Sequence, residues 1–191
     1  MLNITSAKLT GTPGEAGWAQ AYEFEPSDPG EVKNRGRFFA VVAVKSGEAG
    51  REIVDRLHES YFGELTLRPF NAIKNTVEKV VGEFGGETGI EIAACALVGD
   101  VVYSAAYGGG EVTISREGSL GTILKSANEV VSASGYPKSG DMILLATKSF
   151  YEHISQETIK AGLTGESSQS AVELFAPMVH GNGDAGNLGA V

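Results

Sequence analysis

The chain has 191 residues, 42% of them apolar, and a formal net charge of −9. That length suits one domain with a substantial core, and the acidic balance argues against nucleic acid and against anionic membrane surfaces, since nothing supplies the basic patch either would need. No apolar run reaches the roughly 18 residues of a membrane-spanning helix, and the opening MLNITSAKLT lacks the basic and apolar segments of a secretory signal, so a cytoplasmic location is expected.

Residues 2–10 and 16–25 alternate weakly between apolar and polar, with Gly11-Thr12-Pro13-Gly14 between them. This predicts two strands joined by a turn. Residues 26–36 are polar and rich in Pro and Gly and read as a loop. Phe38 to Val44 is an unbroken apolar run, as in a strand covered on both faces. Ile53, Val54, Leu57 and Tyr61 follow helical spacing. So do Phe70, Ile73, Val77, Val80, Val81 and Phe84, in a helix over about 70–84 that Gly85-Gly86 ends.

From Ile90 to Ile114 the chain reads as a meander of antiparallel strands. Gly99-Asp100 forms the first hairpin turn, and Gly108-Gly109-Gly110 a second turn or bulge. The single cysteine, Cys95, lies in an apolar stretch and reads as a small buried hydrophobe. Residues 120–138 show no clear period. Ser155 is the expected N-cap of a helix through Leu163. A last helix starts near Ser167 or Ser168 with Ala171, Leu174, Phe175 and Met178 inward, and should kink or end at Pro177. Gly181 to Gly186 reads as a loop, and Leu188 to Val191 begins a strand. Helices between runs of antiparallel strands make an α+β protein.

The most informative stretch is Ser139 to Ser155. Gly140-Asp141 is a turn signal, Met142 to Thr147 a short buried strand, and Lys148-Ser149 an abrupt change to polar residues. Gly140, Asp141, Leu144, Leu145, Thr147, Phe150 and Ser155 resemble a strand of the PP2C-type (PPM) metal-dependent Ser/Thr phosphatases. The order of elements resembles that family over nearly the whole chain. The resemblance implies a PP2C-like sandwich of two antiparallel β-sheets flanked by helices on both sides, formed by residues 1–191 as a single domain. In that family the final strand runs on through several more apolar residues, so a domain excised from a longer protein is expected.

The family's chemistry uses aspartates at strand ends to hold two Mg or Mn ions, which activate water and neutralise phosphoryl charge. Carried over residue by residue, the first metal position falls on Gln20, with Glu15 where the phosphate-binding Arg would be. The Asp-Gly-x-Gly-Gly motif falls on Ala43-Val44-Lys45-Ser46-Gly47 and the Gly-Thr-Thr motif on Gly89-Ile90-Glu91. Gly-Asp-Ser falls on Gly108-Gly109-Gly110, the fourth Asp-Gly on Lys148-Ser149, and the last Asp-Asn on Gly186-Asn187. Ala43, Gly109, Lys148 and Gly186 thus stand where the resemblance expects aspartate. A two-residue shift would bring Asp184 near the last position.

The expectation is a metal-free pseudophosphatase domain with no catalytic, metal or cofactor-binding residues. It would bind a protein partner or other domains of the same chain in a regulatory, signalling role. The alternative is an active, metal-dependent phosphoprotein phosphatase using Mn or Mg with displaced carboxylates, drawn from Glu48, Glu91, Asp141 and Asp184. A third possibility is a structural module of a surface assembly. Lys148 has two readings: an exposed lysine paired with Glu152, or an ammonium in a cation's place, paired with Asp184 or Glu48. His58, His153 and His180 lie on separate elements and read as surface or helix-end residues, since no second ligand has metal spacing to them. Trp18, beside Gly17, reads as core, with a partner-binding anchor as the alternative.

Overall fold

The computed structural model describes residues 4–15, 17–45, 47–85, 89–181 and 186–191. Two antiparallel five-stranded sheets lie face to face. The first runs β2 (Trp18–Phe24), β3 (Arg37–Val44), β4 (Glu91–Val98), β5 (Val101–Tyr107) and β8 (Val131–Gly135). The second runs β1 (Leu9–Thr10), β10 (Gly189–Ala190), β9 (Met142–Ala146), β6 (Glu111–Arg116) and β7 (Ser119–Lys125). This is the PP2C-like sandwich that the sequence leads one to expect.

Side-chain parity along β3 explains the layering. Phe38, Ala40, Val42 and Val44 enter one core with α2 (Gly47–Gly63) and α3 (Pro69–Phe84). Phe39 and Val41 point the other way, between the sheets, with Cys95, Val112 and Leu145. Alternate residues of a strand face opposite sides, so an all-apolar run serves two cores at once. A third core joins the second sheet to α5 (Gln156–Leu163) and α6 (Ser168–Gly181) through Phe150, Ile159, Leu163, Phe175 and Val179. Side chains such as Leu57 and Ile73 are fully buried, each worth about 1.5–3 kcal/mol of transfer energy. Trp18 packs on the first core, against Gly50, where an added Cβ would lie 2.2 Å from the indole ring.

Several elements differ from the reading of the sequence. The loop expected at 26–36 contains α1 (Pro29–Arg35). Asp28 caps it by accepting the N–H groups of Gly30 and Glu31, and Pro29 opens it; this Asp-Pro start is a helix signal that outweighs the polar composition. Residues 119–125 and 131–135 are strands β7 and β8. Both are half-exposed edges, so they need little apolar periodicity. Lys148–His153 is a short helix, α4, capped by Thr147. Leu174 is exposed, and α6 passes through Pro177 to Gly181. His58 is half-buried rather than free at the surface: Tyr22, Phe24 and Phe62 surround its ring, and its Nδ1 lies 2.8 Å from the Tyr22 hydroxyl.

Arg35 is the largest buried side chain, 1% exposed. Among the described residues its guanidinium bonds to carbonyl oxygens rather than to a carboxylate. Nε donates to the Tyr61 carbonyl at 3.0 Å, Nη1 to those of Asn34 and Leu67 at 3.1 and 3.2 Å, and Nη2 to that of Glu64. The Tyr61 hydroxyl donates back to the Arg35 carbonyl at 2.9 Å. The last carbonyls of a helix lack intrahelical partners and form its negative end. Arg35 therefore stitches α1 to the end of α2 and the loop beyond it.

Candidate functional site

One end of the sandwich gathers most of the expected positions. Ala43, at the end of β3, pairs with Glu91 at the start of β4. Directly paired residues share a face, and Ala43 follows Val41 toward the space between the sheets, so Glu91 projects there too. Across that space β9 ends and α4 begins. The Glu91 carboxylate accepts the backbone N–H of Lys148 at 2.8 Å, and the Ser149 N–H also favours its charged form. A side chain of the first sheet thus caps a helix attached to the second. Burial nevertheless dominates and pushes the Glu91 carboxyl up to about 7, against the favourable pull of the Lys148 N–H and charge.

Thr147 is the hub on the other side. Its Oγ1 donates to the Asn187 carbonyl at 3.0 Å and accepts the N–H groups of Phe150 and Gly189 at 3.3 and 3.2 Å. The Asn187 side-chain amide donates to Ser149 Oγ at 2.7 Å. The start of α4 and the entry to β10 are therefore bound together by side chains. The hub was open to sequence reasoning: a threonine just before a polar-aromatic run is an N-cap pattern.

The glycines here answer to close approach. Gly108 and Gly109 have φ values of 69° and 102°. An added Cβ at Gly108 would lie 1.9 Å from the Ile90 carbonyl oxygen. At Gly109 it would lie 2.8 Å from Cβ of Lys148, so the lysine stem lies over the glycine. At Gly186 it would meet the Gly17 oxygen at 2.1 Å and the Gly14 nitrogen at 2.9 Å. Any side chain at 186 requires this backbone to move.

The expected positions do not all converge. Ala43, Gly109 and Lys148 lie around Glu91. Gln20 pairs with Val42 and so faces the α2 side; the residue beside Ala43 is Ala19. The Lys148 ammonium lies 3.6 Å from Glu152 on its own helix, with both side chains more than half exposed, in accord with the simpler reading of this residue. Asp141 lies at the other end of β9, where Arg116 grips it at 2.9, 3.2 and 2.5 Å and holds its carboxyl below the usual range. Glu48 is exposed on α2. Asp184 lies outside the described residues.

No protein-family model matches the sequence, and no curated protein matches it. Solved structures do. The serine/threonine phosphatase PstP/Ppp of Mycobacterium tuberculosis superposes with a TM-score of 0.70 at 13% identity, over 97% of this chain and 95% of that one. The PstP catalytic domain in complex with 2 manganese ions gives 0.68 at 13%, over 97% and 94%. The phosphatase domain of the cell-fate determinant SpoIIE from Bacillus subtilis gives 0.60 at 14%, over 96% and 87%. At these identities the likeness establishes the fold.

A two-metal centre needs several oxygen donors around each ion. Ala43, Gly109 and Gly186 carry no side-chain oxygen, and Lys148 carries an ammonium. Glu91 spends its carboxylate on a helix N-terminus. Among the described residues no group of three or more His, Cys, Asp or Glu side chains could hold a metal. The residues described here do not fit such a centre.

Proposed function

We propose that this chain is a pseudophosphatase: a PP2C-like domain that keeps the sandwich, does without the metal pair, and acts by binding a protein partner or another domain of its own chain. The observation that carries this reading is the fate of the site. Where the resemblance calls for carboxylates there is a packed polar knot, Glu91 on the Lys148 N–H and Thr147 on Asn187 and Gly189. Fold and function are separable, because function resides in the site while stability resides in the core. Among the described residues no helix is long and apolar enough to cross a membrane; a regulatory, signalling role in the cytoplasm is part of this reading.

The test is calorimetric titration of the metal-stripped protein with Mn²⁺ and Mg²⁺, alongside hydrolysis of p-nitrophenyl phosphate and thermal melts with and without EDTA. The expected result is no saturable metal binding, no turnover and superimposable melts. Metal-dependent turnover abolished by Glu91→Gln would establish the alternative, an active phosphatase with displaced carboxylates.

A further inference from the structure

On the outer side of the first sheet, a groove of about 570 Å³ opens between the second half of α2 and the neighbouring face of α3. The sequence makes the room. Ala72, Asn75, Thr76 and Lys79 recur at the spacing of one helix face, and small residues border the groove, Ala72 on α3 and Ser60 and Gly63 on α2. An added Cβ at Gly63 would meet nothing within 4 Å. Leu67, on the loop between the helices, adds an apolar wall.

This groove holds an unspent hydroxyl. Thr76 is 1% exposed. A helical threonine commonly turns its hydroxyl back onto the carbonyl four residues earlier, as Thr164 does onto that of Lys160 at 2.9 Å. Thr76 makes no such bond, and its side chain has no hydrogen-bond partner among the described residues. The one sealed and unpaired polar side-chain atom among them is Nε of Arg37, so the Thr76 oxygen keeps an opening, and the groove is what it opens on. A buried hydroxyl without a partner costs free energy that a ligand group recovers.

The charge around it is negative. Glu59, Glu64 and Glu78 border the groove against one ammonium, that of Lys79. Arg56 meets one oxygen of Glu59 at 3.1 Å but is shared with Glu83 at 2.8 Å. Glu64 is met by the Thr66 hydroxyl, and Lys74 reaches one oxygen of Glu78 at 3.5 Å. α2 ends here at Gly63, and its last turn carries no basic residue to answer its negative end.

We propose that this groove receives an arginine side chain of a partner protein. A guanidinium is a planar fork of N–H donors with no acceptor. It suits the Thr76 hydroxyl oxygen, the Asn75 amide oxygen and the carboxylates of Glu59 and Glu64 together, with its stem on Ala72 and Leu67. A lysine ammonium is a compact point charge and lacks the fork. The inference rests on the reading that this chain acts through a protein partner. It shares no residue with the knot around Glu91, so metal binding or turnover at that end would leave it standing.

The experiment titrates the 191-residue chain with the capped peptide Ala-Arg-Ala, followed by amide NMR shifts, with citrulline in place of arginine as the neutral control. The expected result is saturable shifts at Ser60, Asn75 and Thr76, with binding at least tenfold weaker for citrulline and weakened by added salt. Thr76→Val, which removes the hydroxyl at nearly constant volume, should weaken binding at least fivefold while the melt stays cooperative, and Thr76→Ser should restore it. Glu59→Gln combined with Glu64→Gln should abolish it. The absence of saturable shifts at these residues, equal binding of the citrulline peptide, or unchanged binding by Thr76→Val would overturn the proposal. So would tighter binding of spermidine than of the arginine peptide, which assigns the groove to a small polycation.

Discussion

Glu91 offers the sharpest test of the energetics. Its carboxyl is pushed from 4.5 up to about 7 by burial, so the folded protein holds this proton more tightly than the unfolded chain does. Below pH 4.5 both states are protonated and the group costs nothing. Between pH 4.5 and 7 the unfolded chain releases the proton first, so stability falls as pH rises; above 7 the loss is complete and constant. The difference corresponds to about 3 kcal/mol, or about 6–12 °C in Tm for a chain of this size. Glu91→Gln keeps an oxygen to accept the Lys148 N–H but cannot ionise. Urea melts of both proteins from pH 4.5 to 8.5 should therefore diverge with pH. The variant should gain on the parent through the window and stay ahead above it. A difference that is flat with pH, or one that favours the parent at high pH, would mean that the helix N–H groups outweigh burial and would refute the reasoning.

Gly186→Asp should lower stability by about 2–4 kcal/mol, because its Cβ meets the Gly17 and Gly14 backbone; a thermal melt matching the parent would show that the strand entry yields freely. Arg35→Met removes a charged donor from carbonyls of Tyr61, Glu64 and Leu67 and should cost about 3 kcal/mol by urea titration; a loss below about 1 kcal/mol would make the guanidinium dispensable. Lys148→Ala should change stability by less than about 1 kcal/mol, since its ammonium pair with Glu152 is exposed. A large drop there would return the lysine to the role of a stand-in cation.

What the sequence makes legible follows from how strongly each segment is buried. The run Phe38–Val44 announces itself because both of its faces are covered, and the stripes of α2 and α3 because one face is. β7 and β8 escape detection because edge strands answer to few neighbours. α1 and α4 escape because each is fixed by a cap, Asp28 or Thr147, more than by a stripe. Spacing alone places Leu174 inward, but α6 turns it outward while Phe175 and Val179 take the core. At the site, the identities of Ala43, Gly109, Lys148 and Gly186 could be read directly. Their spatial relations could not: that Glu91 caps α4 from the opposite sheet depends on register, which no local pattern encodes.

The double duty of β3 has a consequence for editing this protein. Each residue from Phe38 to Val44 is addressed to one of two compartments by its odd or even number. Deleting Arg37, at the head of the strand, would send the bulky Phe38 and Val42 toward the space between the sheets and the smaller Ala43 toward the helices, scrambling both at once. Insertions belong instead at the Glu117-Gly118 turn, where the chain reverses in solvent and no such parity is kept.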